Sequence, residues 1–404
     1  MEPCAVSFEN TENAFAVQAD KALKKSRFLF SVMRYPLLVK IGTRITPWAI
    51  KAGIPLKWLI RNTIFDQFVG GETLEQTALV TEKLCKFKVQ VILDYGVEGK
   101  EGEVNLEKSC EGFIKVIQYA SRQPDIPFVS IKVTGFARFA LLEKLDSAAT
   151  KQAGYTGKLD TDVLTEVEKK EWQRVADRMN RIMTAAAAGN VGVLVDAEET
   201  WVQDPVDALT MRMMQKYNKV RAVVFNTIQL YRSDRLGFLE ETCREADAND
   251  FIAGVKLVRG AYMEKERKRA REMNYPSPVQ PDKASSDRDY NNALQFAIKH
   301  LSKFSLIIAS HNEESNLLAL SLMKEKGLPA NDPRIHFSQL FGMSDNITFN
   351  LAAAGYNVSK YLPFGPVNDV IPYLMRRAQE NSSVSGQTGR ELALIKKEIN
   401  RRGI

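Results

Sequence analysis

Histidine is scarce: His300, His311 and His336 are the only three in 404 residues. None stands in an HExxH or comparable spacing, which argues against a catalytic metal site. The four cysteines, Cys4, Cys85, Cys110 and Cys243, lie far apart and form no CxxC pair. That excludes a disulfide framework or a structural zinc as the organising device and suits a reducing compartment. No GxGxxG follows any strand-like run, so the usual dinucleotide-binding turn is missing. No apolar run is long enough to cross a bilayer. The opening MEPCAVSFENTENAF is acidic and has neither the hydrophobic core of a secretory signal nor the arginine-rich character of a transit peptide. Aromatics and basic runs are not interleaved in the manner of a base-stacking platform, so a nucleic-acid partner is not expected.

Acid is missing altogether from residues 21–65, KALKKSRFLFSVMRYPLLVKIGTRITPWAIKAGIPLKWLIRNTIF. The stretch mixes basic residues with Phe28, Phe30, Trp48 and Trp58, and Pro36, Pro47 and Pro55 cut it into short helices. Two readings compete here. One is an interfacial patch resting on anionic lipid; the other, slightly favoured, is a helical arm whose apolar face packs on the main domain. Both hold if they concern opposite faces.

What is present suits a large core. The chain is 45% hydrophobic and 26% charged, with a net charge of +7 that permits but does not demand an anionic partner. From residue 89 onward, short apolar runs alternate with helical patterns. The runs are 89–95, 128–134, 191–198, 221–229, 252–260, 305–311, 334–340 and 358–364. Near-continuous Val, Ile and Leu marks strands buried on both faces, and eight such units in a row predict a (β/α)8 barrel. A doubly wound open sheet is the rival topology. We expect an N-terminal helical arm over 1–85 and the barrel over 86–404, with a helical insertion near 141–190.

In such a barrel, function gathers at the C-terminal ends of the strands. Reading those ends gives Asp94, Lys132, Asp196 with Glu198, Gln229, Lys256 with Arg259, His311, Leu340 and Tyr361. A single charged residue there is usually a rim salt bridge, but a polar group at nearly every end implies a concave, cation-rich mouth for an anionic ligand. Ser310-His311-Asn312 follows a strand and opens a helix, where backbone amides can meet a phosphate; alternatively, Ser310 is simply the helix N-cap. Gly260 sits directly after a strand, allowing either close approach of a flat ligand or a tight turn. Near the C-terminus, Tyr373, Arg376, Arg377 and Glu380 share one helix face, and paired guanidiniums make a fork for a carboxylate or phosphate. An Arg376–Glu380 pair on a solvated face is the bland alternative. A lysine at a strand end also keeps an aldolase-type Schiff base open. The basic arm keeps a non-enzymatic membrane-surface adaptor open.

The segments VSIKVTGFAR (129–138), VDAEE (195–199), VFNTIQLY (224–231), KLVRGAYM (256–263), ASHN (309–312) and YLPFGPVNDVIPYLMRRAQEN (361–381) resemble the proline dehydrogenase family, in the same order, from about residue 85 onward. The resemblance implies a distorted (β/α)8 barrel that binds FAD without a Rossmann domain. It implies oxidation of L-proline to Δ1-pyrroline-5-carboxylate, by hydride transfer from C5 to flavin N5, with a quinone as electron acceptor. It also implies peripheral membrane contact, for which residues 21–65 are the candidate. The setting would be the cytoplasmic face of the membrane in a bacterium or the mitochondrion in a eukaryote.

Carried over by position, Arg376 and Arg377 match the pair that binds the proline carboxylate, assisted by Lys132. Tyr361 and Tyr373 match the walls of the proline ring, and Leu340 an apolar contact on it. A tyrosine at 361, where hydroxyproline-preferring relatives have a smaller residue, implies proline preference. Asp196 matches an acid supporting the polar network. Lys256 falls near flavin N5, where some members have arginine, and Gln229 matches a flavin-ring contact. Arg259, Gly260, Lys283, Ser310 and His311 fall in segments that hold the ribityl, diphosphate and adenosine portions. Glu380 would pair within the arginine helix.

Overall fold

A computed structural model describes residues 6–35, 37, 39–40, 57–96, 101–149, 159–383 and 387–404. Eight parallel strands close in sequence order into a barrel: β1 (Gln90–Tyr95), β2 (Phe128–Ile131), β3 (Gly192–Val195), β4 (Val224–Gln229), β5 (Ala253–Val258), β6 (Phe304–Ala309), β7 (Ile335–Leu340) and β8 (Val358–Phe364). The helices are α1 (Thr11–Phe15), α2 (Asp20–Met33), α3 (Leu74–Cys85), α4 (Glu103–Ala120), α5 (Phe139–Ala149), α6 (Glu166–Gly189), α7 (Thr200–Tyr217), α8 (Arg235–Ala248), α9 (Met263–Glu272), α10 (Lys283–Lys299), α11 (Glu313–Glu325), α12 (Asp345–Ala353), α13 (Val367–Ser383) and α14 (Gln387–Arg402). A short helical stretch over 57–68 contains a π-turn at Arg61–Phe65. Each strand is buried along nearly its whole length, as strands covered on both faces must be. The expected (β/α)8 barrel is therefore the observed one, and the open doubly wound sheet is not.

The chain forms two compact units, one drawing on Met1–Gly96 and Phe337–Ile404, the other being Val97–His336. In the first unit, α1 and α2 pack on α12 and α14. Ala14, Phe15, Leu23, Phe30 and Met33 bury themselves with Leu374, Leu392, Leu394, Ile395 and Ile399. Burying a side chain of this kind stabilises by about 1.5–3 kcal/mol, so this face of the arm is core rather than appendage. Polar contacts fix the register: Lys25 pairs with Asp66 at 2.5 Å, and Ser26 Oγ donates to Gln67 Oε1 at 2.8 Å. Gln67 donates in turn to the Gly342 carbonyl at 3.1 Å. Gly342 has φ 76°, and a Cβ there would meet the Gln67 carbonyl oxygen at 2.0 Å, so no side chain fits. Of the acid-free stretch 21–65, residues 36, 38 and 41–56 lie outside the described residues, Trp48 and the three prolines among them.

In the second unit, the described residues of the stretch expected as an insertion near 141–190 form parts of two helices. α6 packs on α4 in the ring position between β2 and β3, and α5 packs against α7. α6 starts with a capping box, Thr165 against Glu168, and ends at Asn190 in the left-handed conformation. Arg178 is buried on α6 and bridges Glu103 and Glu107 of α4 while donating to the Phe136 carbonyl at 3.2 Å. His336 packs edge-on to Phe128 with ring centroids 5.1 Å apart. Burial pushes its imidazole down to about 3, so it stays neutral at physiological pH, a structural group. Among the described residues no group of side chains has metal-ligand geometry, and no helix is long and apolar enough to cross a membrane.

Candidate active site

In the second unit, three strands deliver one charged cluster. Asp196 follows β3 directly, and its amide donates to the Ile131 carbonyl on β2 at 2.9 Å. Its Oδ1 accepts from Ser130 Oγ at 2.8 Å and pairs with Lys256 Nζ; its Oδ2 lies 3.8 Å from Lys132 Nζ. Two lysines thus face one carboxylate. All three side chains are largely withdrawn from solvent, where such a field is screened weakly. Ser130 and Lys132 are two residues apart, the strand period that puts both on one face. Lys256 was expected at the end of its strand; it lies in the middle of β5, level with Thr227 and Ile307. Tyr361 likewise lies mid-strand in β8, level with Ile92, and Asp94 lies within β1. The reason is common to all: in a fully buried strand the apolar run continues past a polar residue, so the pattern alone does not mark where the strand ends.

Glu198 sits two residues beyond Asp196, buried. Its carboxylate accepts from the Thr134 hydroxyl at 2.5 Å and the Thr134 amide at 3.2 Å. Burial pushes it up to about 7, against the pull of Thr134 and of Lys132. Gln229, the last residue of β4, donates through Nε2 to the Glu198 carbonyl at 3.1 Å. Its Oε1 is buried and has no hydrogen-bond partner among the described residues. An orphaned buried acceptor is uncommon and calls for a donor.

A second cluster forms around Arg259, just past β5. The guanidinium donates to Asp287 at 2.7 Å, Ser310 Oγ at 3.0 Å and Ser315 Oγ at 3.0 Å, and it stacks 4.4 Å from the Tyr290 ring centroid. Three of five N–H donors are thereby used and two remain. Lys283 pairs with Asp287, so Arg259, Lys283 and Ser310 of the expected set lie in one network. Gly260 has φ 145°, and a Cβ there would lie 2.2 Å from the Tyr231 ring. This explains the glycine by close packing on an aromatic face. His311 is half-buried between Ser310 and Asn312. The N-cap of α11 is Asn312, whose side chain accepts from the Ser315 amide at 2.8 Å, rather than Ser310. Ser310 Oγ instead receives Arg259 and the Asn312 amide. Glu313 and Glu314 already occupy the first turn of α11, so the cations, not this helix end, are the groups that suit an anion.

In the first unit, α13 buries Val370 and Leu374 in the core and carries Tyr373, Arg376 and Arg377. Arg377 is buried and its guanidinium lies 5.2 Å from the Tyr373 ring centroid, a cation–π pair at helical i,i+4 spacing. Arg376 is half-buried. Tyr361 and Tyr373 are buried, and Leu340 ends β7 packed on the core. The side chain of Glu380 lies outside the described residues. Sequence reading missed a buried network here: Lys360 pairs with Asp345 at 2.7 Å and donates to the Met343 carbonyl at 2.5 Å, while Glu391 receives the Ser344 amide. Burial, reinforced by Asp345, pushes Glu391 up to about 7. Asp287 carried a signal, four residues after Lys283; Tyr290 and Ser315 carried none, since only tertiary folding brings them to Arg259.

A family model described as "Proline dehydrogenase" matches residues 79–390. Proline dehydrogenase 1, mitochondrial, of Dictyostelium discoideum is 33% identical over 379 residues, 86% of this chain and 66% of that protein. The carbapenem antibiotics biosynthesis protein CarD of Pectobacterium carotovorum is 35% identical over 335 residues, 83% of each. Hydroxyproline dehydrogenase of Xenopus laevis is 31% identical over 422 residues, 98% of this chain and 90% of that one. Among solved structures, proline utilization A of Bdellovibrio bacteriovorus, inactivated by N-propargylglycine, superposes with a TM-score of 0.68 at 19% identity. That match covers 93% of this chain and 36% of the other, and the likeness is one of fold.

Proposed function

Because the chain belongs to the proline dehydrogenase family, we propose that it oxidises L-proline to Δ1-pyrroline-5-carboxylate with bound FAD and hands the electrons to a quinone. The observation that carries this reading is the Lys132–Asp196–Lys256 cluster, a cation-rich assembly held at the barrel strands. The residues present fit a flavin. The orphaned Gln229 Oε1 is an acceptor for an N–H on the isoalloxazine ring, and Arg259 retains donors for an anionic diphosphate. Gly260, Lys283, Ser310 and His311 would complete the hold on the ribityl, diphosphate and adenosine portions. Bound FAD would supply, at flavin N5, the acceptor for the hydride that leaves proline C5.

The protein's own part is positioning and electrostatics. Arg376, Arg377 and Lys132 would hold the carboxylate, Tyr361 and Tyr373 would wall the ring, and Leu340 would give it an apolar contact. Asp196 would keep both lysines in place, Lys256 near flavin N5, and Glu380 would pair within the arginine helix. Proline must be a neutral amine to release hydride, and a cationic surrounding disfavours its ammonium form. The pairing of both lysines with one carboxylate gives the aldolase-type reading no support. A second reading, hydroxyproline as substrate, draws on the Xenopus relative's coverage of this chain; the bulk of Tyr361 favours proline. The test is the visible spectrum of the purified protein: a flavin absorbance bleached by proline, and less readily by hydroxyproline, supports the proposal. A colourless protein after incubation with FAD, or a spectrum indifferent to proline, would overturn it.

A further inference from the structure

One lysine of the first unit is buried and has no part in the proposed catalysis. Lys360, in β8, is 1% exposed. Its ammonium meets three acceptors: Asp345 at 2.7 Å, the Met343 carbonyl at 2.5 Å and the Leu340 carbonyl at 3.4 Å. An ammonium has three N–H donors, so the set is complete. The three partners bracket one turn. β7 ends at Leu340 and α12 begins at Asp345. Between them Gly342 has φ 76° and Ser344 φ 50°. The second value is one a serine adopts only when its surroundings hold it there. The Leu340 carbonyl also accepts the Met343 amide at 3.2 Å, and the Ser344 amide goes to Glu391. Local propensity does not favour this turn; the ammonium closes it by gathering the carbonyls near both of its ends.

The same lysine stands next to every expected wall of the substrate ring. Tyr361 follows it in β8, and consecutive strand residues leave on opposite faces, so the two side chains serve different sides of one strand. Leu340 is level with Tyr361 in the β7–β8 pair, and the Phe341 amide donates to the Tyr361 carbonyl at 2.9 Å. Leu340 and Met343 pack in the apolar cluster that contains Tyr373. A buried ion pair is a weak source of stability, because well-packed apolar residues of equal volume avoid its desolvation. What lysine offers and leucine does not is a fixed distance to two carbonyls.

We propose that Lys360 is a positioning residue for the substrate site: it holds the Leu340–Ser344 turn against β8 and thereby sets the affinity for the ring and the preference for proline over hydroxyproline. The inference rests on the proposed roles of Leu340, Tyr361 and Tyr373 as ring contacts. Lys360 acts only through the turn, and a displacement of about 1 Å in a wall is enough to cost a site its fit.

The test compares wild type with Lys360→Met/Asp345→Asn, which removes both charges together and leaves neither ion buried alone. Wild type comes first. A flavin indifferent to proline would defeat the catalytic reading and this inference with it, and no variant is needed to see that. In the double variant, flavin content should match wild type, since the groups assigned to the flavin lie in Val97–His336. The KM for proline should rise about tenfold with kcat within about threefold, the pattern of lost uniform binding. Cyclopentanecarboxylate has the ring and the carboxylate but no nitrogen to oxidise; its Kd in calorimetric titration should rise by the same factor. The kcat/KM ratio of proline to hydroxyproline should fall about fivefold. Gln18→Ala breaks the 2.9 Å bond to the other oxygen of Asp345. It should lower the melting temperature yet leave KM and the ratio within about twofold of wild type. If the double variant does not fold, Asp345→Asn alone decides, with the same shifts at about threefold. A folded variant that loses thermal stability while KM, Kd and the ratio stay at wild-type values overturns the proposal, for Lys360 would then only brace the fold.

Discussion

Asp196→Asn should be among the most damaging single changes in the second unit. The substitution keeps the shape and the acceptor for Ser130 but removes the negative charge between Lys256 and Lys132. At the 3.8 Å separation from Lys132, an effective dielectric of 20 gives an attraction of about 4 kcal/mol, against which desolvation must be set. Breaking a largely buried pair from one side costs about 3–5 kcal/mol, because the partner cation stays behind uncompensated. Here two cations stay behind, and they then repel each other. Removing the second partner as well should undo part of the damage. Urea unfolding of wild type, Asp196→Asn, Lys256→Met and the double variant closes a cycle; we expect Asp196→Asn to lose about 3–5 kcal/mol and the cycle to show a coupling of about 2 kcal/mol. High salt should narrow the gap between wild type and Asp196→Asn by screening the repulsion. Loss of less than about 1 kcal/mol in Asp196→Asn, or additivity within about 0.5 kcal/mol, would refute the idea that this carboxylate organises the cluster.

Glu198→Gln should change the pH dependence of stability. Burial raises the Glu198 carboxyl to about 7 from an ordinary 4.5, so the native state holds its proton more tightly than the unfolded chain. The stability this contributes is complete below pH 4.5 and is lost as pH rises through 7, up to about 3 kcal/mol. Glutamine has no such loss, so the variant should gain on wild type between pH 5 and pH 8 in thermal unfolding; parallel curves would contradict the assignment. Gly260→Ala should destabilise by about 2–4 kcal/mol, because φ 145° suits only glycine and the new Cβ would strike the Tyr231 ring. An unchanged melting temperature would show that the ring moves aside freely. Arg376→Met should raise the KM for proline about 10–100-fold while flavin content stays at the wild-type level, as loss of one charge-assisted contact to a carboxylate requires. Unaltered kinetics would remove Arg376 from substrate binding.

The barrel was readable because its strands are buried on both faces, which writes them as apolar runs; 358–364 was delimited to the residue. The run at 128–134 was read too long because Val133–Gly135 turns into a 3-10 turn that no apolar pattern distinguishes from strand. Of the candidate site, the residue types at the strand ends were legible, and so was their cationic excess. Their pairing was not. Asp196 meets Lys256 across 60 residues of sequence and Arg259 meets Ser315 across 56, relations fixed by barrel closure and by no local rule. The alternative that Ser310 caps α11 fails for a different reason. Both Ser310 and Asn312 are good caps, and only the Asn312 spacing to Ser315 places the bond correctly.

The pairing of β1 with β8 bears on how the protein is made. Gln90 lies opposite Ser359, which a ribosome adds 359 − 90 = 269 residues later, a wait of about 13–54 s at ~5–20 residues per second. Arg402 on α14, which donates to the Phe15 and Gln18 carbonyls at 2.8 Å, arrives later still. Val97–His336 forms a compact unit and emerges in one piece. Gln90–Tyr95 must meanwhile hold one apolar edge without its partner, an invitation to pair with another nascent chain. The rate at which the last few dozen residues are supplied thus becomes a determinant of yield, and slow codons there would lengthen the most vulnerable moment in the life of the molecule.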